Sequence, residues 1–268
     1  MLTFLLSVTK PKPSLKSKED IEILRSGGRK LARILVALAQ AVSEGLTTRS
    51  LDILARKLIS RAGGEPAFLN YRPAGAASPF PAALCVSVND EIVHGIPSDR
   101  ILVTGDLVGL DLGLKYHGLY TDMAITVGVG EISTEAQALL QVTRQALVAG
   151  IAAARARATS GDIGTAISAA VSGHQKYGLV TEFGGHGVGH QVHEWPEIPN
   201  VGRRGSGVSL LPGLVIAIEP MVTIGRAAIV TAADGWTVKT KSGGLSAHFE
   251  HTVLITDDEP EILTQLKM

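Results

Sequence analysis

The first sixty residues carry apolar positions at helical spacing. Between residues 19 and 43 apolar side chains return every three or four positions, which predicts an amphipathic helix. Ser17, followed three residues later by Asp20, has the pattern of a capping box at the start of this helix. A second helix is predicted over residues 48–61, because a Gly-Gly pair follows its last apolar positions.

The rest of the chain mixes β-type runs with helical segments. Runs rich in β-branched residues predict strands at 84–88, 92–93, 101–114, 120–129, 214–218, 229–230, 237–239 and 249–256. Helices are predicted at 135–158 and 163–177. The opening of the second helix, at 51–52, has a weak counterpart 112 residues later, at 163–164. We therefore expect an α+β protein with two related halves around a central antiparallel sheet.

Composition narrows the function classes. The 268 residues fit one large domain, and 25 basic residues balance 25 acidic ones, which argues against binding to nucleic acid as the main activity. No apolar run reaches the length of a membrane helix. The apolar start, residues 1–8, is too short for a secretory signal and lacks a basic region before it. The single cysteine, Cys85, gives no sign of an oxidising compartment, so we expect a cytoplasmic protein.

Four acidic residues stand inside apolar, strand-like runs: Asp111, Asp122, Glu219 and Glu250. A carboxylate in a buried strand is costly unless a cation neutralises it. Any single one could be a satisfied salt bridge. Four together would need four buried cationic partners, and these runs contain almost no Lys or Arg. A bound pair of metal ions neutralises all four.

The two strands that carry Asp111 and Asp122 follow each other directly. If the turn between them centres on Tyr116 and His117, the two aspartates lie directly opposite each other and point to the same face. A shift of one residue in the turn would spoil this register.

Histidine is the remaining ligand type, and residues 184–193 offer His186, His190 and His193 among glycines that allow close backbone approach. Oxygen-rich ligation with one imidazole suits Mn, Fe, Co or Zn in a hydrolytic site better than a structural zinc site. Two bridged metal ions activate water for hydrolysis of an amide or ester. A serine nucleophile elbow and a phosphate-binding loop are both absent from the sequence, and Cys85 lies in an apolar strand.

Several segments together resemble the type I methionine aminopeptidases of peptidase family M24, from about residue 16 to the C-terminus. They are Val88-Asn-Asp-Glu-Ile-Val-His-Gly-Ile-Pro, Gly109-Leu-Asp-Leu, Tyr120-Thr-Asp-Met, Gly185-His-Gly-Val-Gly, Ile218-Glu-Pro-Met, Asp234-Gly-Trp-Thr-Val-Lys-Thr and Glu250-His-Thr. The resemblance implies the pita-bread fold, a pseudo-two-fold antiparallel sheet with helices on its outer side. It also implies an N-terminal extension over residues 1–15 and a single catalytic domain over 16–268.

The implied activity is metal-dependent removal of the initiator methionine from nascent polypeptides and peptides, with a small second residue preferred. The implied cofactors are two divalent ions, of Co, Mn, Fe or Zn. By the resemblance Asp111 binds one ion, His186 and Glu219 bind the other, and Asp122 and Glu250 bridge them.

The resemblance also assigns residues to the substrate. Glu219 is implied as the proton shuttle, and His94 and His193 as histidines beside the scissile amide nitrogen and carbonyl oxygen. A surface or core role is the plainer alternative for each histidine. Methionine needs a narrow pocket of soft or aromatic groups. The matching positions are Cys85, Phe80, Trp236 and Tyr71, although Phe80 and Trp236 could be core aromatics.

Three features depart from the family pattern: a longer loop at 70–81, histidines at 190 and 248, and the segment Glu194-Trp195-Pro-Glu-Ile. The expected partners are nascent polypeptide N-termini, with no membrane and no specific nucleic acid; we expect a monomer, and ribosome association is a hypothesis from the family's role. A Xaa-Pro aminopeptidase or prolidase on the same fold is the alternative enzyme. A binding module that has lost its chemistry is the alternative from another class.

Overall fold

Each half of the chain places two helices against antiparallel strands. The structure is a computed structural model that describes residues 12–265. The helices are α1 (Lys18–Ala41), α2 (Thr48–Arg61), α3 (Thr134–Ala153) and α4 (Ser160–Ser172). The strands are β1 (Glu65–Pro66), β2 (Cys85–Val88), β3 (Glu91–Val93), β4 (Leu107–Tyr116), β5 (Leu119–Gly128), β6 (Tyr177–Leu179), β7 (Gly185–Gly187), β8 (Glu194–Ile198), β9 (Val215–Ile218), β10 (Met221–Ile224), β11 (Ile229–Thr231), β12 (Val238–Thr240), β13 (Ser246–His248), β14 (His251–Leu254) and β15 (Glu261–Ile262).

The two halves repeat one plan. In the first, α1 packs on β4 and β5 and α2 packs on β2; in the second, α3 packs on β9, β10 and β13 and α4 packs on β6 and β8. The N-cap residue of α2, Thr47, pairs with Ile101, and the N-cap residue of α4, Thr159, pairs with Ser209. Thr159 stands 112 positions after Thr47, the spacing of the sequence echo. The α+β class with two related halves is confirmed.

The predicted helix starts are better than the predicted ends. The capping box of Ser17 and Asp20 opens α1 as expected. Helix α3, predicted to reach residue 158, ends at Ala153, because the next segment pairs with Leu210 instead: the N–H of Arg157 donates to the carbonyl of Leu210 at 3.0 Å. Helix α4 begins three residues earlier than predicted and ends at Ser172, before a glycine.

The hairpin of β4 and β5 corrects the predicted register. Asp111 lies opposite Ala124 and Asp122 lies opposite Gly113, so the two aspartates are diagonal rather than opposed. The turn residues are His117 and Gly118, one position later than expected. A shift of the turn by one residue moves every partner by two positions, and two positions preserve the face. The shift therefore spoils the opposed register, as expected, but leaves both carboxylates on one face.

The two glutamates lie between strands, which corrects the predicted strand 249–256 at Glu250 and agrees with the predicted end at 218 before Glu219. Glu219 separates β9 from β10, and Glu250 separates β13 from β14. Pro220 has no N–H to donate, and the ladder between these strands is interrupted around it. The N–H of Glu250 donates instead to the carbonyl of Ala124 on β5, at 2.9 Å, which joins the two halves beside the carboxylates.

The helices and the carboxylates occupy opposite faces of the first sheet. Val108, Leu110, Leu112 and Leu114 of β4 pack in the core beneath α1 and α2, whereas Asp111 points the other way. In the described part of the chain no helix has the length and apolarity to cross a membrane. The apolar start at 1–8 and most of the predicted extension at 1–15 lie outside the described residues, and the proposed domain limits stay a prediction.

Candidate metal centre

A cavity of about 640 Å³ lies at the junction of the two halves. Its walls include every residue that the resemblance assigns to metal binding, catalysis or the side-chain pocket, but not His190, the third candidate imidazole of residues 184–193. The assigned residues are Tyr71, Phe80, Cys85, His94, Asp111, Asp122, His186, His193, Glu219, Trp236 and Glu250. Eleven residues separated by up to 179 positions thus converge on one space.

The deepest part of the cavity holds the candidate ligands. Asp122, His186 and Glu250 each offer a ligand atom, and these atoms lie within 4.8 Å of one another. Glu219 joins them, with its Oε1 3.6 Å from the Nε2 of His186. Asp111 completes the group from β4, where it lies beside Cys85 of β2.

The four carboxyl groups destabilise one another's charged forms. Burial raises the pKa of Asp122 and of Glu219 to about 8, and the charge of Glu219 adds to the effect on Asp122. Burial, with repulsion from neighbouring carboxylates, raises the pKa of Asp111 and of Glu250 well above the usual range. Among residues 12–265 no Lys or Arg forms an ion pair with any of the four.

These residues fit a divalent cation. The Oε1 of Glu250 is buried and accepts no hydrogen bond from the described residues. A cation coordinates such an oxygen and removes the repulsion between the carboxylates. Without a cation, the four buried residues would have to remain protonated as neutral carboxylic acids. Carboxylate oxygens with one imidazole nitrogen are a donor set for Mn, Fe, Co or Zn.

His186 is held in the orientation that a metal ligand needs. It lies in β7 between two glycines; a Cβ on Gly185 would come within 2.1 Å of the carbonyl of Ala217, so only glycine permits this approach of β7 to β9. The Nδ1 of His186 lies 2.9 Å from the carbonyl of Gly187, which fixes Nδ1 as the donor and leaves the Nε2 lone pair free. Burial lowers the pKa of His186 to about 4, so the ring is neutral.

The two substrate-side candidates approach the ligand group from different walls. The ring of His193 lies 4.3 Å from that of His186, and its Nδ1 lies 2.7 Å from the Tyr71 hydroxyl. The ring of His94 meets Phe183 edge to face, with centroids 5.7 Å apart. Burial lowers the pKa of His94 to about 4.

An apolar pocket adjoins the ligands. Phe80 and Trp236 meet edge to face with centroids 5.2 Å apart, and Cys85 packs in the same cluster. Burial, then the nearby Asp111 charge, raises the pKa of the Cys85 thiol, so it stays protonated. Phe68 also lines this wall, although the sequence analysis did not identify it. The feature that could have indicated it is a lone aromatic residue before the long loop.

The long loop leaves Tyr71 in place. The N–H of Phe80 donates to the carbonyl of Tyr71 at 2.8 Å, and the N–H of Asn70 donates to the carbonyl of Phe80 at 2.9 Å. These two bonds close the base of the loop, so its extra length projects beyond Tyr71 and Phe80. Phe183 is another wall residue missed by sequence, although it stands directly before the Gly-Gly-His run.

The two unusual histidines have different surroundings. His248 is buried, with its Nε2 3.4 Å from the Oε2 of Glu219, and burial lowers its pKa to about 3. His190 is exposed and faces the N-terminal segment, 3.1 Å from the Ser14 hydroxyl and 3.5 Å from Asp20. Only the histidine at 248 can therefore influence the ligand group directly.

Comparison with known proteins identifies a metallopeptidase family along most of the chain. The sequence profile described as Metallopeptidase family M24 matches residues 22–257. A methionine aminopeptidase of Aquifex aeolicus is 45% identical over 259 residues, covering 94% of this chain and 98% of that protein.

Solved structures agree. The crystal structure of methionine aminopeptidase from Thermotoga maritima has a TM-score of 0.90 at 36% identity, covering 95% of this chain and 100% of that one. A prolidase from Pyrococcus furiosus shares the fold with a TM-score of 0.71 at 23% identity, but the match covers only 66% of that chain. The chain belongs to metallopeptidase family M24, and within that family to the methionine aminopeptidases.

Proposed function

We propose that this protein releases the N-terminal methionine of polypeptides by using two divalent metal ions at the floor of its cavity. The observation that carries the proposal is the meeting of four buried carboxyl groups and one oriented imidazole beside an apolar pocket. The match to methionine aminopeptidases along nearly the whole chain supports the substrate, and membership of a metallopeptidase family supports the metal dependence.

The ligands divide between two ions. We assign Asp111 to one ion, His186 and Glu219 to the other, and Asp122 and Glu250 to both. When bound, the ions supply Lewis-acid activation of water and of the scissile carbonyl. Mn, Fe, Co and Zn all suit this donor set, and the assay below ranks them.

Residues of the chain itself transfer the proton and orient the substrate. Glu219 has its Oε1 near His186 and its Oε2 near His248, and it accepts the proton of the attacking water and returns it to the leaving amine. His94 and His193 are neutral because burial lowers their pKa values, so each can donate one hydrogen bond without adding charge. We assign His193 to the scissile carbonyl oxygen and His94 to the amide nitrogen.

The side-chain pocket accounts for the preference for methionine. Phe80, Trp236 and Cys85 present an aromatic and soft apolar wall, which favours a flexible thioether over a charged or branched side chain. We further propose that the second residue of the substrate must be small, because it lies between the two histidines at the narrow floor of the cavity.

The test is release of free methionine by metal-stripped protein supplied with Mn, Co, Fe or Zn. Substrates are Met-Ala-Ser, Met-Gly-Met, a Met-Leu peptide and a Xaa-Pro peptide. Asp111→Asn removes one ligand; Asp99→Asn is the matched control, since Asp99 is exposed and pairs only with Arg49. We expect metal-dependent release from the first two peptides, unchanged in Asp99→Asn and lost in Asp111→Asn.

Other outcomes separate the alternatives. Cleavage of the Xaa-Pro peptide alone would establish a prolidase-type enzyme and overturn the methionine pocket. Binding of metal without hydrolysis of any peptide would support a binding module. Equal rates on Met-Ala-Ser and Met-Leu peptides would remove the small-residue requirement.

Location and assembly are further proposals. We propose a cytoplasmic, monomeric enzyme that meets nascent chains at the ribosome. One buried free cysteine agrees with the cytoplasm, whereas ribosome association rests on the family's role and draws no support from the balanced charge. Cell fractionation, light scattering and co-sedimentation with ribosomes over a salt series test the three statements separately.

A further inference from the structure

Tyr71 makes a hydrogen bond that is not required for a residue that only lines the pocket. Its hydroxyl oxygen lies 2.7 Å from the Nδ1 of His193, and the two rings lie 5.1 Å apart with a tilt of 39°. No other hydrogen bond joins this hydroxyl to a residue between 12 and 265. The tyrosine therefore has one defined partner, and that partner is a histidine beside the ligand group.

The direction of this hydrogen bond determines the tautomer of His193. A neutral imidazole carries its proton on one nitrogen only. If Nδ1 carried it, Nδ1–H would donate to the phenol oxygen, and the phenol proton would be left to solvent, since no described residue accepts it. If the phenol donates to Nδ1, both groups are satisfied and the proton of the imidazole lies on Nε2.

We propose that Tyr71 is a positioning residue that holds His193 in the tautomer protonated on Nε2. Nε2 lies on the far side of the ring from Tyr71, and the ring itself lies 4.3 Å from His186. The fixed tautomer therefore places the N–H donor of the ring on the side away from Tyr71, and we assign this donor to the substrate carbonyl oxygen, which develops negative charge. This inference rests on the proposed function for its role in the reaction, but not for the tautomer itself.

The local backbone is built to hold the phenol in place. The paired hydrogen bonds between the 70–71 segment and Phe80 close the loop directly at Tyr71. Asn70 has a left-handed backbone, with φ of 64°, which turns the chain into this pairing. His193 is fixed from its other side, because its neighbour Glu194 accepts from the N–H of Gln191 at 2.8 Å and from the buried Lys16 at 2.6 Å.

The test uses Tyr71→Phe, which keeps the ring and removes only the hydroxyl. Two-dimensional NMR of the full chain with ¹⁵N-labelled histidine, in the metal-free and the Zn-loaded states, reports the protonated nitrogen of each ring. His193→Gln identifies the His193 signals. We expect Nε2 to be protonated in the wild type, and Tyr71→Phe to introduce the Nδ1-protonated form.

Kinetics give the second readout. Loss of one oriented hydrogen bond should lower kcat of Tyr71→Phe about tenfold, with KM for Met-Ala-Ser changed less than about twofold. Tyr71→Ala should also raise KM, because it removes the ring from the wall. Tyr120→Phe is the matched control: Tyr120 is half-buried near the same cluster but does not line the cavity, and its variant should match the wild type in spectrum and rate.

Two results would overturn the proposal. One is a wild-type His193 protonated on Nδ1, and the other is a Tyr71→Phe spectrum identical to the wild type. Both results come from NMR spectra that need no catalytic turnover. A protein that releases no methionine would therefore refute the proposed function, and the spectra would still determine the tautomer of His193.

Discussion

At the scale of single residues, the site contains buried polar atoms that have no hydrogen-bond partner among the described residues. Glu250 Oε1 and His248 Nε2 are both buried and without a hydrogen bond from the described residues, and both border the candidate ligands. Unsatisfied buried polar atoms are costly, so their presence on the candidate ligand Glu250 and on His248, which lies against Glu219, marks a place where a bound ligand completes the structure. The first prediction concerns the histidine of this pair.

Replacing His248 should weaken metal binding. Its neutral ring lies 3.4 Å from the Oε2 of Glu219 without a hydrogen bond between them in this geometry, and Nε2–H is the donor that would orient this carboxylate when a metal is bound. His248→Leu should lower the affinity for Mn roughly tenfold or more, the usual effect of losing such a supporting group. His248→Gln, which keeps a donor, should lose less. Calorimetric titration of metal-stripped protein measures both.

The control for this experiment is the other unusual histidine. His190→Leu changes an exposed ring that lines no part of the cavity, so its metal affinity should equal that of the wild type. If His248→Leu also bound Mn like the wild type, the histidine would have no role toward Glu219.

At the scale of elements, the hairpin of β4 and β5 sets the convergence of the two aspartates. Its turn places His117 and Gly118 at φ of 48° and 85°, the left-handed pair that tight hairpins use. Gly118→Val should lower the free energy of unfolding by about 1–2 kcal/mol, because a β-branched residue is strained at this φ. Urea denaturation gives the value.

A glycine of ordinary geometry provides the comparison. Gly173 follows α4 with φ of −64° and has no neighbour within 4 Å of an added Cβ. Gly173→Ala should therefore leave stability unchanged or raise it slightly. An equal loss in both variants would mean that the strain at Gly118 is not the cause.

The N-terminal segment is a second element with a structural role. The ammonium of Lys16 is fully buried and lies 2.6 Å from Glu194, the residue after His193. Lys16→Met leaves a buried carboxylate without its cation, and it should cost about 3 kcal/mol of unfolding free energy. Arg49→Met breaks the exposed pair with Asp99 and should cost under about 1 kcal/mol. Chemical denaturation of both variants tests the contrast.

At the scale of the whole molecule, the sequence predicted the ligand set better than the strands that carry it. Residue types alone identified Asp111, Asp122, Glu219 and Glu250, since a buried carboxylate without a basic neighbour is conspicuous in a sequence. The resemblance to a known family added the roles. Glu250 was nevertheless placed inside a strand, because the break opposite Pro220 involves two strand pairs that are distant in the chain.

The other errors in the predicted elements have the same cause, which is pairing between segments distant in the chain. Strand β7 runs from Gly185 to Gly187, and glycine carries no β-strand preference, so only its place between β8 and β9 makes it a strand. The end of α3 at Ala153 is likewise imposed by pairing of the next segment with Leu210, against an alanine-rich sequence that favours helix. Local pattern predicted elements whose partners are near in sequence, and long-range pairing decided the rest.

The stability of the whole protein should depend on pH in opposite ways with and without metal. In the metal-free protein burial raises the pKa of Asp122 and Glu219 to about 8, whereas in the unfolded chain both carboxyls ionise near 4. The folded state therefore binds more protons, and stability from these groups is lost as pH rises through about 8. The buried histidines have lowered pKa values and titrate below pH 7, so they do not contribute above it.

We therefore expect the metal-free protein to lose about 2–3 kcal/mol of unfolding free energy from these two groups between pH 7 and 8.5. Saturating Mn reverses the sign, because it binds the ionised carboxylates and stabilises the folded state more as protons leave. Urea denaturation at several pH values, with EDTA or with Mn, measures both slopes. Asp122→Asn should flatten the metal-free slope, since an amide cannot ionise. A metal-free protein that gained stability over this range would show that the carboxyls are already charged, each with a partner other than metal.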